Sequence, residues 1–203
     1  MTTINRREFL YASGLCVAGT LAGLQVPRPK AAHAAAASTK PVVLSEQEWR
    51  TLDAITGRII PTDHEPGARE ANCVNFIDKA LAHEDSAAKP LYVGGLAAVL
   101  AVARARHDSD FAELEAAQQD AILADLETGS ADDWPLADLP SPMFFETARL
   151  HTIVAFLADP SYGGNRDYAG WRVAGYPGPR REGFTVEEMQ GKAAIEPVWK
   201  TDG

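Results

Sequence analysis

The chain has 203 residues, of which 46% are hydrophobic, and a formal net charge of −9 at pH 7. This length and hydrophobic content suffice for one globular domain with a sizeable core. The acidity argues against binding to nucleic acid or to anionic lipid surfaces, because both repel a negatively charged protein.

The first 34 residues are typical of an export signal. Arg6 and Arg7 precede an uncharged segment, residues 9–27, that Gly, Ala, Ser and Thr keep only weakly hydrophobic. Such a segment is too mild for a convincing transmembrane helix. Ala32 and Ala34 supply the small residues of a cleavage site. We therefore expect a signal peptide over residues 1–34 that is cleaved after Ala34.

The order Arg-Arg-Glu-Phe-Leu resembles the twin-arginine export signal, whose motif residues here are Arg6, Arg7, Phe9 and Leu10. The alternative is a general export signal in which the arginine pair is accidental. The twin-arginine route carries folded proteins to the periplasm. Its use would imply that the chain must fold, bind a cofactor or bind a partner before export.

Removal of this segment changes the charge and the cysteine content of the chain. The segment contains four basic residues and one acidic residue, so its loss takes the net charge from −9 to −12. It also removes Cys16 and leaves Cys73 as the remaining cysteine, which excludes an internal disulfide. Cys73 is then either a small buried side chain in a helix or one half of an intersubunit disulfide.

Residues 35–43 read as a flexible lead-in, and a helical domain is expected over residues 44–203. Ser45 is a good N-cap for the first helix, and Glu48 follows at the capping-box spacing. Leu44 can pack against the first turn as a hydrophobic staple, and Pro61 ends the helix.

Four further helices are predicted from the 3.6-residue period. The second spans about Asn72 to His83, and the third covers the apolar segment 89–106. Asp110 is expected to cap a fourth helix that ends at Gly129. Its periodic apolar residues are Phe111, Leu114, Ile122 and Leu126.

The fifth helix is predicted in the segment 141–160 and is the most apolar, which makes it the expected central helix. Ser141 is its predicted N-cap, and Pro142 takes its first helical position. After Pro160 the chain is rich in Gly, Pro, aromatic residues and Arg, without a regular period. The prediction is an all-α fold: a compact bundle of about five helices with a long, structureless C-terminal loop region.

Residue patterns that carry catalysis are scarce. One cysteine after cleavage cannot supply an iron–sulfur, c-haem or structural zinc site. Asp63, His64 and Glu65 are adjacent in a polar loop, where ligands rarely converge on one metal ion. Glu146 and His151 are five residues apart and do not share a helix face well, so we expect core or interface polar residues instead of an acid–base pair. We predict no catalytic, cofactor-binding or metal site in this chain.

Two segments resemble the gluconate 2-dehydrogenase subunit 3 family. The first is "LSEQEWRTLDAITGRIIPTDHEPGAREANCVNFIDKAL". The second, "FFETARLHTIVAFLADPSYGGNRDYAGWRVAGYPGP", contains the order Asp-Pro-x-Tyr-Gly-Gly-Asn followed by Gly-Trp and Gly-Tyr-Pro-Gly. The resemblance covers residues 44–179.

This resemblance implies a heteromer in which the chain is a non-catalytic small subunit. The large subunit is of the glucose–methanol–choline flavoprotein type, binds FAD and oxidises a sugar, polyol or aldonate. A multihaem cytochrome c subunit can carry the electrons onward and bring the complex to the inner membrane. The small subunit would supply the signal read by the twin-arginine translocase and would stabilise its partner in the periplasm.

The C-terminal loop is the expected partner interface, because Tyr, Trp and Arg are enriched in interface hot spots and a long loop is usually functional or disordered. The predicted interface residues are Tyr162, Gly163, Gly164, Asn165, Arg166, Trp171 and Tyr176. In one alternative, the loop packs on its own helices with its aromatic side chains in the core. In another, the chain is a stand-alone exported enzyme or sugar-binding protein that uses Asn165, Arg166 and Asp167 as polar contacts.

Overall fold

The computed structural model describes residues 40–180 and 183–200. Within these ranges the chain forms seven α-helices, five short 3-10 turns and no strand, which confirms the all-α prediction. The α-helices are α1 (Glu46–Ile59), α2 (Cys73–Ala82), α3 (Lys89–His107), α4 (Ala116–Thr128), α5 (Ser141–Leu157), α6 (Ala169–Ala174) and α7 (Val186–Met189). The predicted signal peptide and its cleavage site lie outside the described residues.

Helix α5 is the centre of the bundle. It contacts α1, α2, α3, α4 and α6, so every other long helix packs against it. Phe144, Ala148 and Phe156 are buried on its inner faces. Burial of such side chains stabilises the fold by about 1.5–3 kcal/mol for each large apolar group.

The N-terminus of α1 forms as the sequence predicts. The Ser45 Oγ accepts a hydrogen bond from the Glu48 amide at 3.3 Å, and the Glu48 carboxylate accepts one from the Ser45 amide at 2.7 Å. Leu44 is buried beside this capping box. The paired hydrogen bonds fix where the first helix starts.

The end of the predicted lead-in is held in place by a buried carboxylate. Asp78, on α2, accepts hydrogen bonds from the amides of Val42, Val43 and Leu44. Its side chain is fully buried, and three N–H donors compensate for the loss of hydration. The backbone of residues 42–44 is therefore held against α2.

The predicted fourth helix is interrupted. Phe111–Glu113 is a 3-10 turn, Leu114 and Glu115 are extended, and α4 begins only at Ala116. Asp110 does not cap a helix with its side chain, because its carboxylate accepts hydrogen bonds from Arg104 and Gln47.

Glu115 takes the capping role instead. It forms a capping box with Gln118, and the buried side chain of Gln119 donates to the carbonyl of Phe111 at 2.7 Å. These contacts stabilise the break between the turn and α4. The predicted stop at Gly129, which has a φ of 73°, is correct.

Helix α5 begins one residue earlier than predicted. Ser141 is its first residue and Pro140 occupies the cap position, because the amide of Met143 donates to the Pro140 carbonyl at 3.0 Å. Pro142 is the second helical residue, where its missing N–H costs no helical hydrogen bond.

One segment, Ser86–His107, is long and apolar enough to cross a membrane by length and composition, with a mean hydropathy of 1.5. It contains the 3-10 turn Ser86–Ala88 and α3. Tyr92, Leu96 and Val99 are buried in the hydrophobic core, and α3 contacts α1 and α5. The same composition is thus explained by a core helix of the bundle.

The region after Pro160 is more ordered than predicted. It contains the 3-10 turns Pro160–Tyr162 and Arg166–Tyr168, then α6, α7 and the turn Val198–Lys200. Left-handed glycines and short capped helices build this region without any long apolar period. This corrects the expectation of a structureless loop.

Two adjacent glycines in α3 provide a test of the packing against α5. A Cβ added at Gly95 would lie 2.0 Å from the Phe144 ring, whereas one at Gly94 would meet Leu136 at an ordinary 3.7 Å. Gly95→Ala is expected to lower the free energy of unfolding by about 1–3 kcal/mol. Gly94→Ala should raise it by about 0.5–1 kcal/mol. Urea unfolding of both variants measures the effects, and equal changes would contradict the packing of Phe144 on Gly95.

Candidate functional site

The segment 159–178 closes the C-terminal end of α5. The last carbonyl groups of a helix have no partner within the helix. The Trp171 Nε1 donates to the Leu157 carbonyl at 2.7 Å, and the Asn165 Nδ2 donates to the Ala158 carbonyl at 2.7 Å. The Asn165 Oδ1 also accepts from the Gly170 amide at 2.8 Å. Asn165 and Trp171 thereby provide hydrogen-bond donors for the carbonyl groups at the end of α5.

Glycines permit this close approach of backbone to backbone. A Cβ at Gly164 would lie 2.4 Å from the Ala155 carbonyl oxygen, and one at Gly170 would lie 1.7 Å from that of Phe156. Any larger residue would push the segment away from the helix end.

The same segment is tied to α2. The Asn75 Nδ2 donates to the Gly163 carbonyl at 2.8 Å. The Arg166 amide donates to the Ala71 carbonyl at 3.1 Å, and the Arg166 Nε donates to the Glu70 carbonyl at 3.0 Å. The segment therefore joins the end of α5 to the start of α2.

The backbone of this segment is strained at three neighbouring residues. Asn165, Asp167 and Tyr168 have φ values of 45°, 55° and 58°, in the left-handed region. Asn and Asp tolerate this region, but a bulky Tyr there is an outlier that the surrounding contacts must hold. The strain presents Tyr168 toward an aromatic cluster.

That aromatic cluster contains Tyr168, Trp171, Tyr176 and Trp199. Ring centroids of Tyr168 lie 5.4 Å from Trp171 and 5.9 Å from Trp199, and Tyr176 meets Trp171 edge-on at 5.1 Å. The Arg172 guanidinium lies 5.7 Å from the Trp199 ring centroid, in a cation–π arrangement. We call Tyr168, Trp171, Arg172 and Tyr176 the aromatic surface.

The predicted interface residues divide into two groups in the structure. Asn165 is fully buried, Trp171 is 5% exposed and Gly164 is buried, so these three hold the segment to its own helices. Tyr162 is 62% exposed, Tyr176 is 43% exposed and Arg166 is exposed as well. Gly163 lies between the two groups, partly buried against α2.

The sugar-binding alternative loses one of its three polar contacts. Asn165 uses both side-chain atoms within the protein, to Ala158 and Gly170. Arg166 donates to Glu70, and Asp167 is exposed. Asn165 is therefore engaged within the protein, whereas Arg166 and Asp167 are exposed.

Cys73 is the first residue of α2 and is fully buried. Burial raises the pKa of its thiol, and the nearby Asp53 charge adds to the rise. The thiolate is therefore strongly disfavoured. This agrees with the small buried side chain expected from sequence, and an intersubunit disulfide would require α2 to leave the core.

The other polar residues singled out from sequence lie apart. Asp63 and His64 are exposed in the loop after α1, with their side chains 3.4 Å apart. Glu146 forms a two-bond pair with Arg149, which lowers the pKa of the Glu146 carboxyl. No group of three or more metal-binding side chains is placed to hold an ion in the described part of the chain.

His151 belongs to a cluster that the sequence did not reveal. Its Nδ1 lies 3.0 Å from the Tyr92 hydroxyl, and its Nε2 lies 3.2 Å from the Asp85 carboxylate. The two rings are stacked, with centroids 5.7 Å apart. Burial lowers the pKa of His151, against a smaller raising effect of Asp85. The neutral ring can accept from Tyr92 and donate to Asp85, which joins α5, α3 and the Ser86–Ala88 turn.

A comparison with protein families gives one match, to the family described as gluconate 2-dehydrogenase subunit 3, over residues 46–178. The chain belongs to the gluconate 2-dehydrogenase subunit 3 family. The match covers well over half of the chain and includes the whole of α1–α6. The subunit is accordingly an accessory subunit of a dehydrogenase complex. No curated protein and no solved structure matches this subunit.

Sequence reasoning missed several residues that join distant parts of this subunit. Asn75 and Asp78 are fully or almost fully buried on α2, between apolar positions. Polar residues on a buried helix face signal a specific hydrogen-bond partner, and this pattern could have identified them. Trp199 carried no comparable signal, because its partners lie more than 25 residues earlier in the chain.

Asn165 offers a test of the link between the segment and α5. Asn165→Gly removes both side-chain hydrogen bonds and should lower the free energy of unfolding by about 1–3 kcal/mol. Asn165→Ala should cost about 1 kcal/mol more, because Ala disfavours the left-handed φ of 45°. Chemical denaturation of the two variants separates the contributions. Wild-type stability of Asn165→Gly would contradict a role in holding α5.

The His151 cluster predicts a pH dependence. Because the folded-state pKa of His151 lies below the ordinary value of 6.5, the unfolded chain binds a proton more readily. The contribution of this cluster is thus complete above about pH 6.5 and is lost as the pH falls through the folded-state value. Urea unfolding at pH 7.5 and 5.5 should show a smaller loss of stability in His151→Asn, which cannot titrate, than in the wild type. An equal loss in both proteins would show that His151 is not responsible.

Proposed function

We propose that this subunit is the non-catalytic small subunit of a periplasmic FAD-dependent dehydrogenase of the glucose–methanol–choline type. In this proposal it escorts the catalytic subunit through the twin-arginine route and stabilises it afterwards. The substrate oxidised by the complex is a sugar, polyol or aldonate. The observation that carries the proposal is the family match over residues 46–178, on a chain that starts with an Arg6–Arg7 motif.

The order of events follows from the physical demands of the export route. A folded cargo is needed, and this subunit contains an extensive apolar core around α5 that supports independent folding. A partner that binds the folded subunit in the cytoplasm would cross the membrane with it. One signal would then serve two chains.

The cofactors in this proposal belong to other subunits. FAD lies in the catalytic subunit, and haem c lies in a cytochrome subunit that passes electrons on and places the complex at the inner membrane. The segment 162–170 contains glycines without the Gly-x-Gly-x-x-Gly order of a dinucleotide site, and it follows a helix instead of a strand.

The exposed face of the segment 159–178 is the proposed contact with the catalytic subunit. Tyr162, Arg166 and Tyr176 are accessible there, and all three are residue types that often dominate binding energy. The internal hydrogen bonds of Asn165 and Trp171 make this face rigid, which lowers the entropy lost on binding.

The test is export of the catalytic subunit in cells that carry Arg6→Lys together with Arg7→Lys. We expect dye-linked dehydrogenase activity to stay in the cytoplasmic fraction and to be lost from the periplasmic fraction. A matched control exchanges the other two basic residues of the segment, as Arg28→Lys with Lys30→Arg. This control should export normally.

Normal periplasmic activity of the double-lysine variant would contradict the escort function. Loss of activity in the control as well would show that exchanging Arg and Lys elsewhere in the segment also impairs export, and would contradict a specific function of the arginine pair.

A further inference from the structure

Part of the aromatic surface, Tyr168 and Arg172, is in contact with the C-terminal segment of the same chain. We call residues 183–200 the tail. Trp199 lies on Tyr168 and under the Arg172 guanidinium, with centroid distances of 5.9 Å and 5.7 Å. The Val198 amide donates to the Pro177 carbonyl at 2.9 Å, beside Gly178.

Arg180 joins the tail to the rest of the chain. Arg180 connects to it through the Glu188 carboxylate at 2.7 Å and the Glu196 carbonyl at 2.8 Å. None of its residues is buried in the described structure. A segment without buried side chains loses little on release, so it belongs to the part of a protein that opens most easily.

The tail also exposes large apolar side chains, which is unfavourable for a free subunit. Val186 is 62% exposed and Met189 is 68% exposed, with Phe184 at 46% and Ile195 at 38%. The underlying surface is different: Trp171 is 5% exposed and is anchored to α5 by its indole N–H. An aromatic surface that is partly covered by a segment without buried side chains has the properties of a binding site that is partly closed in the free state.

The family match gives a boundary between these two parts. It ends at residue 178, so the aromatic surface lies inside the matched region and the tail lies outside it. The strained φ values at Asp167 and Tyr168 fall within the matched surface as well. Strain of this kind concentrates where a protein binds or switches.

We propose that the tail is a strap that covers part of the aromatic surface, at Tyr168 and Arg172, in the free subunit, and that the catalytic flavoprotein subunit displaces Trp199 when the complex forms. This inference rests on the proposed function, since it needs that partner. The strap keeps the aromatic surface from non-specific association before assembly. It also lowers the apparent affinity for the partner by the fraction of molecules in which the surface is free.

Trp199→Ala in the full chain tests the strap. The probe is the FAD-containing subunit, co-expressed with the chain, purified and identified by its flavin absorbance. We expect Trp199→Ala to bind it about five- to tenfold more tightly than the wild type, as for a surface that is free in about one molecule in five to ten. Trp199→Phe retains part of the stacking and should give a smaller increase. Thermal unfolding of each variant verifies that the domain is folded.

Met189→Ala is the matched control, because it changes an exposed tail residue and leaves the Trp199 contacts in place. It should bind with wild-type affinity. Equal or weaker binding of Trp199→Ala would overturn the strap, and weaker binding would make Trp199 part of the interface instead. If the flavoprotein binds neither the wild type nor the variant, the proposed function fails and the strap fails with it.

Discussion

The architecture of this subunit depends on how the C-terminal end of α5 is satisfied. Helix α5 packs against every other long helix. Its last carbonyl groups have no partner within the helix and need donors from another segment. Trp171 and Asn165 donate to the Leu157 and Ala158 carbonyls, and Gly170 brings the following backbone against Phe156. An unsatisfied buried carbonyl costs roughly as much as a lost hydrogen bond, about 1–3 kcal/mol each. The segment that provides these donors is therefore part of the core.

The need to satisfy the carbonyl groups at the end of α5 divides the residues of the segment 159–178 into two groups, one that holds the fold together and one that is exposed. Asn165, Trp171 and the glycines close α5 and reach α2, while Tyr162, Arg166 and Tyr176 stay accessible on the outer side. Much of the segment 159–178, which the sequence predicts as a partner interface, thus forms contacts within the fold. Its outer side is the surface that we propose to bind a partner subunit, and Trp199 of the tail contacts the adjacent Tyr168.

Local signals predicted most of the bundle because their physics is local. The Ser45 capping box and the left-handed stop at Gly129 involve residues within one turn of each other. The interrupted fourth helix was missed for the opposite reason. Asp110 looked like a cap, but Arg104 and Gln47 compete for its carboxylate, and Gln47 comes from α1. The three amides bound by Asp78 likewise come from residues 34 to 36 positions away.

By itself, the sequence determined the all-α class from its periodicity and the family from the order of its motifs. The number of cysteines likewise excludes an internal disulfide if the chain is cleaved after residue 34. These three properties belong to the chain alone and do not depend on its packing. The tertiary structure decided which residues of the segment 159–178 face inward, which amides Asp78 binds, and that Trp199 contacts Tyr168. Those features depend on hydrogen-bond donors and rings that meet across long sequence separations. Their partners are set by the packing of α2 and α5, which no local pattern specifies.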